Sequence, residues 1–194
     1  MMFNWWLFLS YAIVTAVTPG PNNLMSLSNA ARFGFRNSFP FNLGIWAGFS
    51  LVMIVCTFFC NTLSSLLPAV ELPMLIAGAA YLLWLSWKTF QCSSLTEADS
   101  SGHGFGSGLV LQFINPKIYI YGIVSMEAYI LPYYQGQWES LFFFAMLLAF
   151  IGFVFTLGWA LFGSMFTFLF SRHARMTNTI MSMLLGYCAI SLFL

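Results

Sequence analysis

The sequence predicts an all-α polytopic membrane protein with six transmembrane helices, arranged as two inverted three-helix repeats in which helices one and four are broken. Three observations predict this fold. Hydrophobic residues make up 60% of the 194 residues and charged residues only 6%, against roughly 45–50% and about 25% in soluble domains. Proline interrupts two apolar runs at positions half a chain apart, and Lys and Arg are concentrated in the connections that would face one side of the membrane.

The first predicted span, residues 4–28, is interrupted by a Pro-Gly-Pro sequence that begins at Pro19. A proline lacks a backbone donor and collides with the carbonyl four residues earlier, so Pro19 and Pro21 each release one carbonyl, and Gly20 lets the chain turn. An unpaired backbone group costs several kcal/mol in hydrocarbon, so such a break persists only where it is buried in protein or lines a wet cavity. The break is therefore predicted to be a binding site.

A helix that restarts after this break would present N–H groups that have no intrahelical partner, together with about half a positive charge. Such an N-terminus can receive a carboxylate, and the side-chain amides of the next residues can add donors or acceptors. The alternative is a kink in the helix that neighbouring helices seal. The residues predicted to bind substrate at this break are Pro19, Gly20, Pro21, Asn22 and Asn23.

The second and third spans are predicted at 43–66 and 70–90, with a turn near 68–71 between them. Each is long enough to cross a bilayer, since a transmembrane helix needs about 20 mostly apolar residues. Gly44 and Gly48 form a G-x-x-x-G pattern in the second span, which favours close contact with another helix.

A polar segment rich in Gly and Ser, residues 91–107, is predicted to be a flexible cytoplasmic linker within a single transmembrane domain, 1–194. It separates repeat one, about 1–90, from repeat two, about 108–194. Its glycines follow no predicted strand, and no Gly-Lys-Ser/Thr closes them, so no nucleotide-binding loop is expected. Neither histidine has a second ligand at metal spacing, so we expect no cofactor and no metal.

The fourth span, predicted at 108–131, contains the second break, Asn115-Pro116-Lys117. Pro116 lies 97 positions after the first proline of the other break, and it releases the carbonyl of Gln112. A lysine at this depth costs roughly 2.5–3.5 kcal/mol unless it is solvated or paired. We predict that Lys117 pairs with a substrate carboxylate, while Gln112, Asn115 and the released carbonyls take the substrate ammonium. Alternatively, Lys117 snorkels to the cytoplasmic surface.

The fifth and sixth spans are predicted at 139–163 and 176–194. Glu127, near the outer end of the fourth span, is the candidate for proton coupling; the alternative is that it is only an interfacial carboxylate.

Two halves that each open with a broken helix indicate a transporter whose site lies where the breaks meet. The groups at these breaks suit a zwitterionic amino acid.

The basic residues predict the orientation, because cytoplasmic connections carry an excess of Lys and Arg. The predicted outer turns carry Glu71 and Glu139 but no Lys or Arg, so both termini are expected to be periplasmic. With three spans in each half, the second half must run opposite to the first. The basic residues that fall on the predicted cytoplasmic side are Arg32, Arg36, Lys88, Arg172 and Arg175.

Four stretches together resemble a known family. They are T-P-G-P-N-N at 18–23, A-G-A-A-Y-L-L-W-L-S-W-K at 77–88, L-Q-F-I-N-P-K at 111–117 and M-L-L-G-Y-C-A at 183–189. The whole chain resembles the LysE-type amino-acid exporter family, and within it most closely the cysteine and O-acetylserine exporter branch.

The resemblance implies a bacterial inner-membrane secondary exporter of small amino acids or derivatives, driven by the proton gradient and often homodimeric. Homoserine and threonine are further substrates of this kind. Other members of the family export basic amino acids or metal ions, so these are the alternative substrates that the resemblance implies. The family motif carries over to Pro19, Gly20, Pro21 and Asn22 in the first half and to Asn115, Pro116 and Lys117 in the second.

A membrane thiol-disulfide enzyme is the alternative from another class, suggested by the four cysteines. Such an enzyme needs accessible, paired cysteines that face an oxidising compartment. Cys56 and Cys60 instead lie in a predicted span, and Cys92 lies in the predicted cytoplasmic linker. A net charge of +1 provides no field for nucleic acid. The expected partners are therefore a small zwitterionic amino acid and the lipid bilayer, and we predict a carrier rather than an enzyme.

Overall fold

A computed structural model of the chain describes residues 3–91, 104–165, 174–191 and 193. Nearly all of them are helical, and no strand occurs among them, which confirms the predicted all-α class. The helices are α1 (Trp5–Val17), α2 (Pro21–Phe33), α3 (Phe35–Phe58), α4 (Cys60–Gln91), α5 (Phe105–Ile114), α6 (Pro116–Val124), a π-helical segment (Ser125–Ile130), α7 (Leu131–Tyr134), α8 (Trp138–Met165) and α9 (Ala174–Ser191).

Apolar helices of membrane-spanning length are present among these described elements. By length and composition, α3 and α8 can each cross a bilayer, and the bent pair formed by α5 and residues 116–134 can make a third span. α1 is a shorter apolar helix. The chain is therefore a membrane protein.

The first helix is interrupted at the Pro-Gly-Pro sequence. α1 ends at Val17, and Gly20 adopts an extended conformation as the N-cap of α2, with Pro21 in the first helical position. Proline is tolerated there because its missing N–H would have no intrahelical partner. The remaining α2 residues are almost all buried, whereas much of α1 is exposed.

The second break falls at Asn115, between α5 and α6. Pro116 occupies the first position of α6, and the side chain of Asn115 caps that helix by accepting a hydrogen bond from the N–H of Lys117 at 3.2 Å. The chain bends by 64° at this point.

The predicted turn near 68–71 is wrong, because these residues lie within α4, which is continuous from Cys60 to Gln91. The second span is α3, which starts eight residues before the predicted 43–66 and ends at Phe58, with the break at Phe59. α4 can continue through Pro68 because a proline removes only one hydrogen bond of the helix. With 32 residues α4 is roughly 48 Å long and extends beyond the 30 Å hydrocarbon layer, where water can satisfy the freed carbonyl.

The chain changes direction at Phe59 because the two helices that it joins pack against different partners. α3 lies against α5, α6 and α8, whereas α4 lies mainly against α9. Most of the predicted linker, 92–103, lies outside the described residues, and its ends belong to α4 and α5.

Glycines allow the closest helix contacts. A Cβ atom on Gly44 would overlap the carbonyl oxygen of Phe105, and one on Gly108 would overlap the carbonyl oxygen of Phe41, so α3 and α5 meet backbone to backbone. Gly163 of α8 lies in the same way against the backbone of α2. Small residues permit such close approach between membrane helices.

Two apolar cores lie on either side of the breaks. One contains residues of α1, the second half of α3, α6 and the first half of α8. The other contains residues of α2, the first half of α3, α4, α5 and α9. The breaks therefore lie between two well-packed regions of the protein.

Candidate functional site

A cavity of about 50 Å³ lies where the two breaks meet. A volume of this size holds a few water molecules. The cavity has an apolar wall, which includes Phe49 and Ile118, and a polar wall, which is formed by the broken helix ends. Its lining residues are Thr15, Ala16, Gly20, Pro21, Asn22, Asn23, Phe49, Asn115, Lys117, Ile118, Tyr121, Gly152 and Thr156.

The side-chain amide of Asn22 connects the two breaks. Its Nδ2 donates to Oε1 of Gln112 at 2.8 Å, and its Oδ1 accepts from Nε2 of Gln112 at 3.2 Å and from Nδ2 of Asn115 at 3.2 Å. Nε2 of Gln112 also donates to the carbonyl oxygen of Gly108 at 2.8 Å. The side chains of Gln112 and Asn115, which the sequence assigned to the substrate ammonium, are thus both hydrogen-bonded to Asn22 in this conformation.

Asn23 satisfies backbone groups at the end of α1. Its Nδ2 donates to the carbonyl oxygens of Ala16 at 2.8 Å and Thr18 at 2.9 Å, and its Oδ1 accepts from the hydroxyl of Thr156 at 3.3 Å. Asn23 is buried, so these bonds stabilise the break within the protein interior.

The carbonyls that Pro19 and Pro21 release have partners of their own. The carbonyl of Thr15 accepts from the Thr18 hydroxyl at 2.8 Å, and the carbonyl of Val17 accepts from Nε1 of Trp159 at 3.2 Å. A carbonyl oxygen has a second lone pair, so each can still accept another bond.

Lys117 reaches from the second break to the first. Its Nζ donates to the Thr18 hydroxyl at 2.8 Å, to the Thr18 carbonyl at 3.2 Å and to the Pro19 carbonyl at 3.4 Å. The ammonium therefore lies at the cavity and bonds to oxygens of the first break. A Cβ atom on Gly20 would lie 3.1 Å from Nζ and 3.2 Å from Cδ of Lys117, so a small residue at position 20 leaves room for the lysine.

Glu127 is the one predicted site residue that lies away from the cavity. It is exposed on the π-helical segment and does not line the cavity. Each of the other predicted residues lines the cavity, forms one of the breaks or bonds to a residue that does.

An aromatic layer formed by Tyr11, Phe49, Tyr121 and Tyr129 adjoins the cavity, because Phe49 and Tyr121 belong to its lining. Tyr11 stacks on Tyr121 with ring centroids 6.2 Å apart and on Tyr129 at 5.4 Å, and Phe49 stacks on Tyr121 at 5.7 Å. The Tyr121 hydroxyl donates to the carbonyl of Leu148 at 3.5 Å.

The sequence predictions did not include several residues of the site, namely Thr18, Tyr121, Thr156 and Trp159. Thr156 has a sequence signal, because it is a single polar residue in the apolar run of the fifth span. The aromatic residues have no such signal, since aromatic side chains occur throughout the chain.

Cys56 and Cys60 are free and buried in the apolar core. Neither is exposed to a compartment in which a thiol-disulfide enzyme would act. Cys92 and the side chain of Cys188 lie outside the described residues. Among the described residues, no cluster of three or more His, Cys, Asp or Glu could hold a metal ion.

Comparisons with known proteins agree with the resemblance seen in the motifs. A family profile described as "LysE type translocator" matches residues 13–194. The chain is 37% identical over 190 residues to proteins named cysteine/O-acetylserine efflux protein from Escherichia coli (strain K12) and from Shigella flexneri, with 96% of this chain and 95% of each relative covered. No solved structure matches the chain.

Proposed function

Because the chain belongs to the LysE-type translocator family and is an amino-acid exporter rather than an enzyme, we propose that it exports small zwitterionic amino acids of the cysteine and O-acetylserine type. The relatives are named for these two substrates. We further propose secondary transport coupled to protons across the bacterial inner membrane. The homodimer that the resemblance implies stays a prediction.

The observation that carries this proposal is the meeting of two broken helices at one cavity. The N-terminus of α2 and the ammonium of Lys117 both bring positive charge to its polar wall. A substrate carboxylate would bind there. The substrate ammonium would donate hydrogen bonds to the carbonyl oxygens at the end of α1, each of which has a second lone pair, and the apolar wall would receive a short side chain.

The same charges argue against the alternative substrates. A metal ion or the second positive charge of a basic amino acid would be repelled by Lys117 and by the N-terminus of α2. Homoserine and threonine carry no such additional charge, and they remain within the proposed substrate class.

Three contacts support the proposed pair of inverted three-helix repeats, which would form six spans in a single domain. The hydroxyls of Ser86 and Ser182 lie 3.0 Å apart, and these residues are 96 positions apart in the sequence. Asn22 bonds to Asn115, and Lys117 bonds to Thr18, across separations of 93 and 99 positions. Residues that correspond to each other in two repeats come into contact near the two-fold axis that relates the repeats. The separations of these three contacts are close to the 97 positions that separate the two breaks.

We propose that the described conformation is closed on the cytoplasmic side. The glycine contacts of α3 with α5 and of α8 with α2 lie on the side of the breaks that the basic residues assign to the cytoplasm. On the opposite side, the aromatic layer of Tyr11, Tyr121 and Tyr129 would form the other barrier. Transport would require these two barriers to open alternately.

Efflux from proteoliposomes with an imposed pH gradient tests the function. We expect saturable efflux of labelled cysteine and O-acetylserine that falls when a protonophore removes the gradient, and little efflux of lysine. Glu127 remains the candidate for coupling, and its replacement by Gln should uncouple efflux from the gradient. Flux that rises linearly with concentration would indicate a channel and contradict the proposal, as would a preference for lysine.

A topology reporter tests the proposed orientation. Both termini should be periplasmic, because residues 37–87 and 118–171 contain no Lys or Arg, whereas the stretches that precede and follow them do. An alkaline phosphatase domain fused after Leu194 should be active, since it requires an oxidising compartment. Activity of a cytoplasm-specific reporter at the same position would reverse the orientation and, with it, the proposed direction of transport.

A further inference from the structure

Arg32 is a buried charged residue that the transport site does not use. It lies in the last turn of α2 and is 6% exposed. Its Nη1 donates to the hydroxyl of Thr89 on α4 at 3.2 Å. Its Nε and Nη2 atoms are buried, and they have no hydrogen-bond partner among the described residues.

The two unpartnered nitrogens form one edge of the planar guanidinium. Their N–H groups point in the same direction and match the two oxygens of a carboxylate. A buried cation whose donors are unsatisfied is unfavourable, so this edge indicates an anion-binding position. None of the carboxylates that the structure describes, those of Glu71, Glu127 and Glu139, bonds to Arg32.

A polar stripe on α2 joins this position to the transport site. Asn29 is 2% exposed, its Nδ2 is also without a partner in the described part of the chain, and it lies one helical turn before Arg32. Ser26 lies between Asn22 and Asn29 on the same side of the helix. Its buried hydroxyl also has no hydrogen-bond partner among the described residues. Polar groups therefore line α2 from its cytoplasmic end to the cavity.

We propose that Arg32 and Asn29 form a second carboxylate-binding site, which receives the transported amino acid on the cytoplasmic side before it moves to the cavity. This inference rests on the proposed function. An amino-acid carboxylate fits better than a lipid phosphate, because Arg32 is enclosed between α2 and α4 and the polar stripe leads inward to the cavity.

Sided transport measurements test the proposal. In inside-out vesicles, Arg32→Gln should raise the cysteine concentration that gives half-maximal uptake by roughly tenfold or more, since a charge-assisted bidentate pair is lost. The maximal rate should change little. In right-side-out vesicles the same variant should match the parent, and Arg32→Lys should have an intermediate effect. The matched control is Arg36→Gln, which removes an exposed charge four residues later.

A second variant separates binding from a structural role. Asn29→Asp places a carboxylate one turn from Arg32, so it should occupy the edge itself, raise the melting temperature and weaken uptake from the cytoplasmic side. If Arg32 is only structural, Arg32→Gln will lower the melting temperature and the maximal rate without shifting half-saturation, and the proposal is then wrong.

Ligand binding to the purified protein distinguishes the sources of the anion. Cysteine should stabilise the parent more than cysteamine, which lacks the carboxylate, and Arg32→Gln should reduce this difference. If phosphatidylglycerol or inorganic phosphate stabilises the parent through Arg32, and Arg32→Gln leaves half-saturation for cysteine unchanged, the site is a phosphate site and the proposal is overturned.

Absence of amino-acid transport by the parent would overturn both the proposed function and this site. Transport with no difference between the Arg32→Gln and Arg36→Gln variants would overturn this site alone.

Discussion

Replacing Gly108 with valine is expected to eliminate most of the folded protein. A Cβ atom at this position would overlap the carbonyl oxygen of Phe41 and lie 3.0 Å from the backbone nitrogen of Ile45. Backbone atoms cannot move aside as the end of a side chain can, so α3 and α5 would have to separate. We expect a loss of about 3 kcal/mol or more in the free energy of unfolding, at the upper end of what overpacking costs. The yield of monodisperse protein and the melting temperature measure it.

Gly106→Val in the same helix is the matched control. A Cβ atom on Gly106 would have no neighbour within 4 Å, so this variant should keep the yield and melting temperature of the parent. If the two variants behave alike, the backbone contact between α3 and α5 is not formed in the membrane as described.

Lys117→Gln is expected to produce the largest loss of transport. The ammonium makes three contacts with oxygens of Thr18 and Pro19 and brings its charge to the cavity. Glutamine keeps a donor but removes the charge. Loss of a charge-assisted pair, roughly 1.5–3 kcal/mol, should weaken apparent affinity about tenfold to a hundredfold. The concentration dependence of efflux measures this loss.

Lys117→Arg should be milder but not neutral, because the planar guanidinium must fit beside Gly20 in the space that the lysine stem now occupies. Lys88→Gln is the matched control, since the ammonium of Lys88 lies 5.3 Å from the ring centroid of Trp84, away from the cavity. It should transport like the parent. If Lys117→Gln leaves the concentration dependence unchanged, Lys117 holds the first break together, and the carboxylate is bound by the N-terminus of α2 and its asparagines alone.

The sequence by itself determined the helical class and the position of both breaks. Pro19, Pro21 and Pro116 act on the backbone within four residues of themselves, so their effect can be read without knowledge of distant parts of the chain. Hydrocarbon cannot satisfy the groups that they release, so the sequence also indicated that the breaks lie inside the protein. The small number of charged residues identified a membrane protein in the same way.

Only the tertiary structure decided how the released groups are satisfied. The partners of Asn22 and Lys117 lie 90 or more positions away, and the Thr156 and Trp159 side chains that complete the first break come from α8. It also placed the break between α3 and α4 at Phe59 instead of at the predicted turn near 68–71, because the two helices pack against different partners. A hydrogen bond or contact between distant segments depends on how whole helices pack, and no local pattern of residues encodes that arrangement.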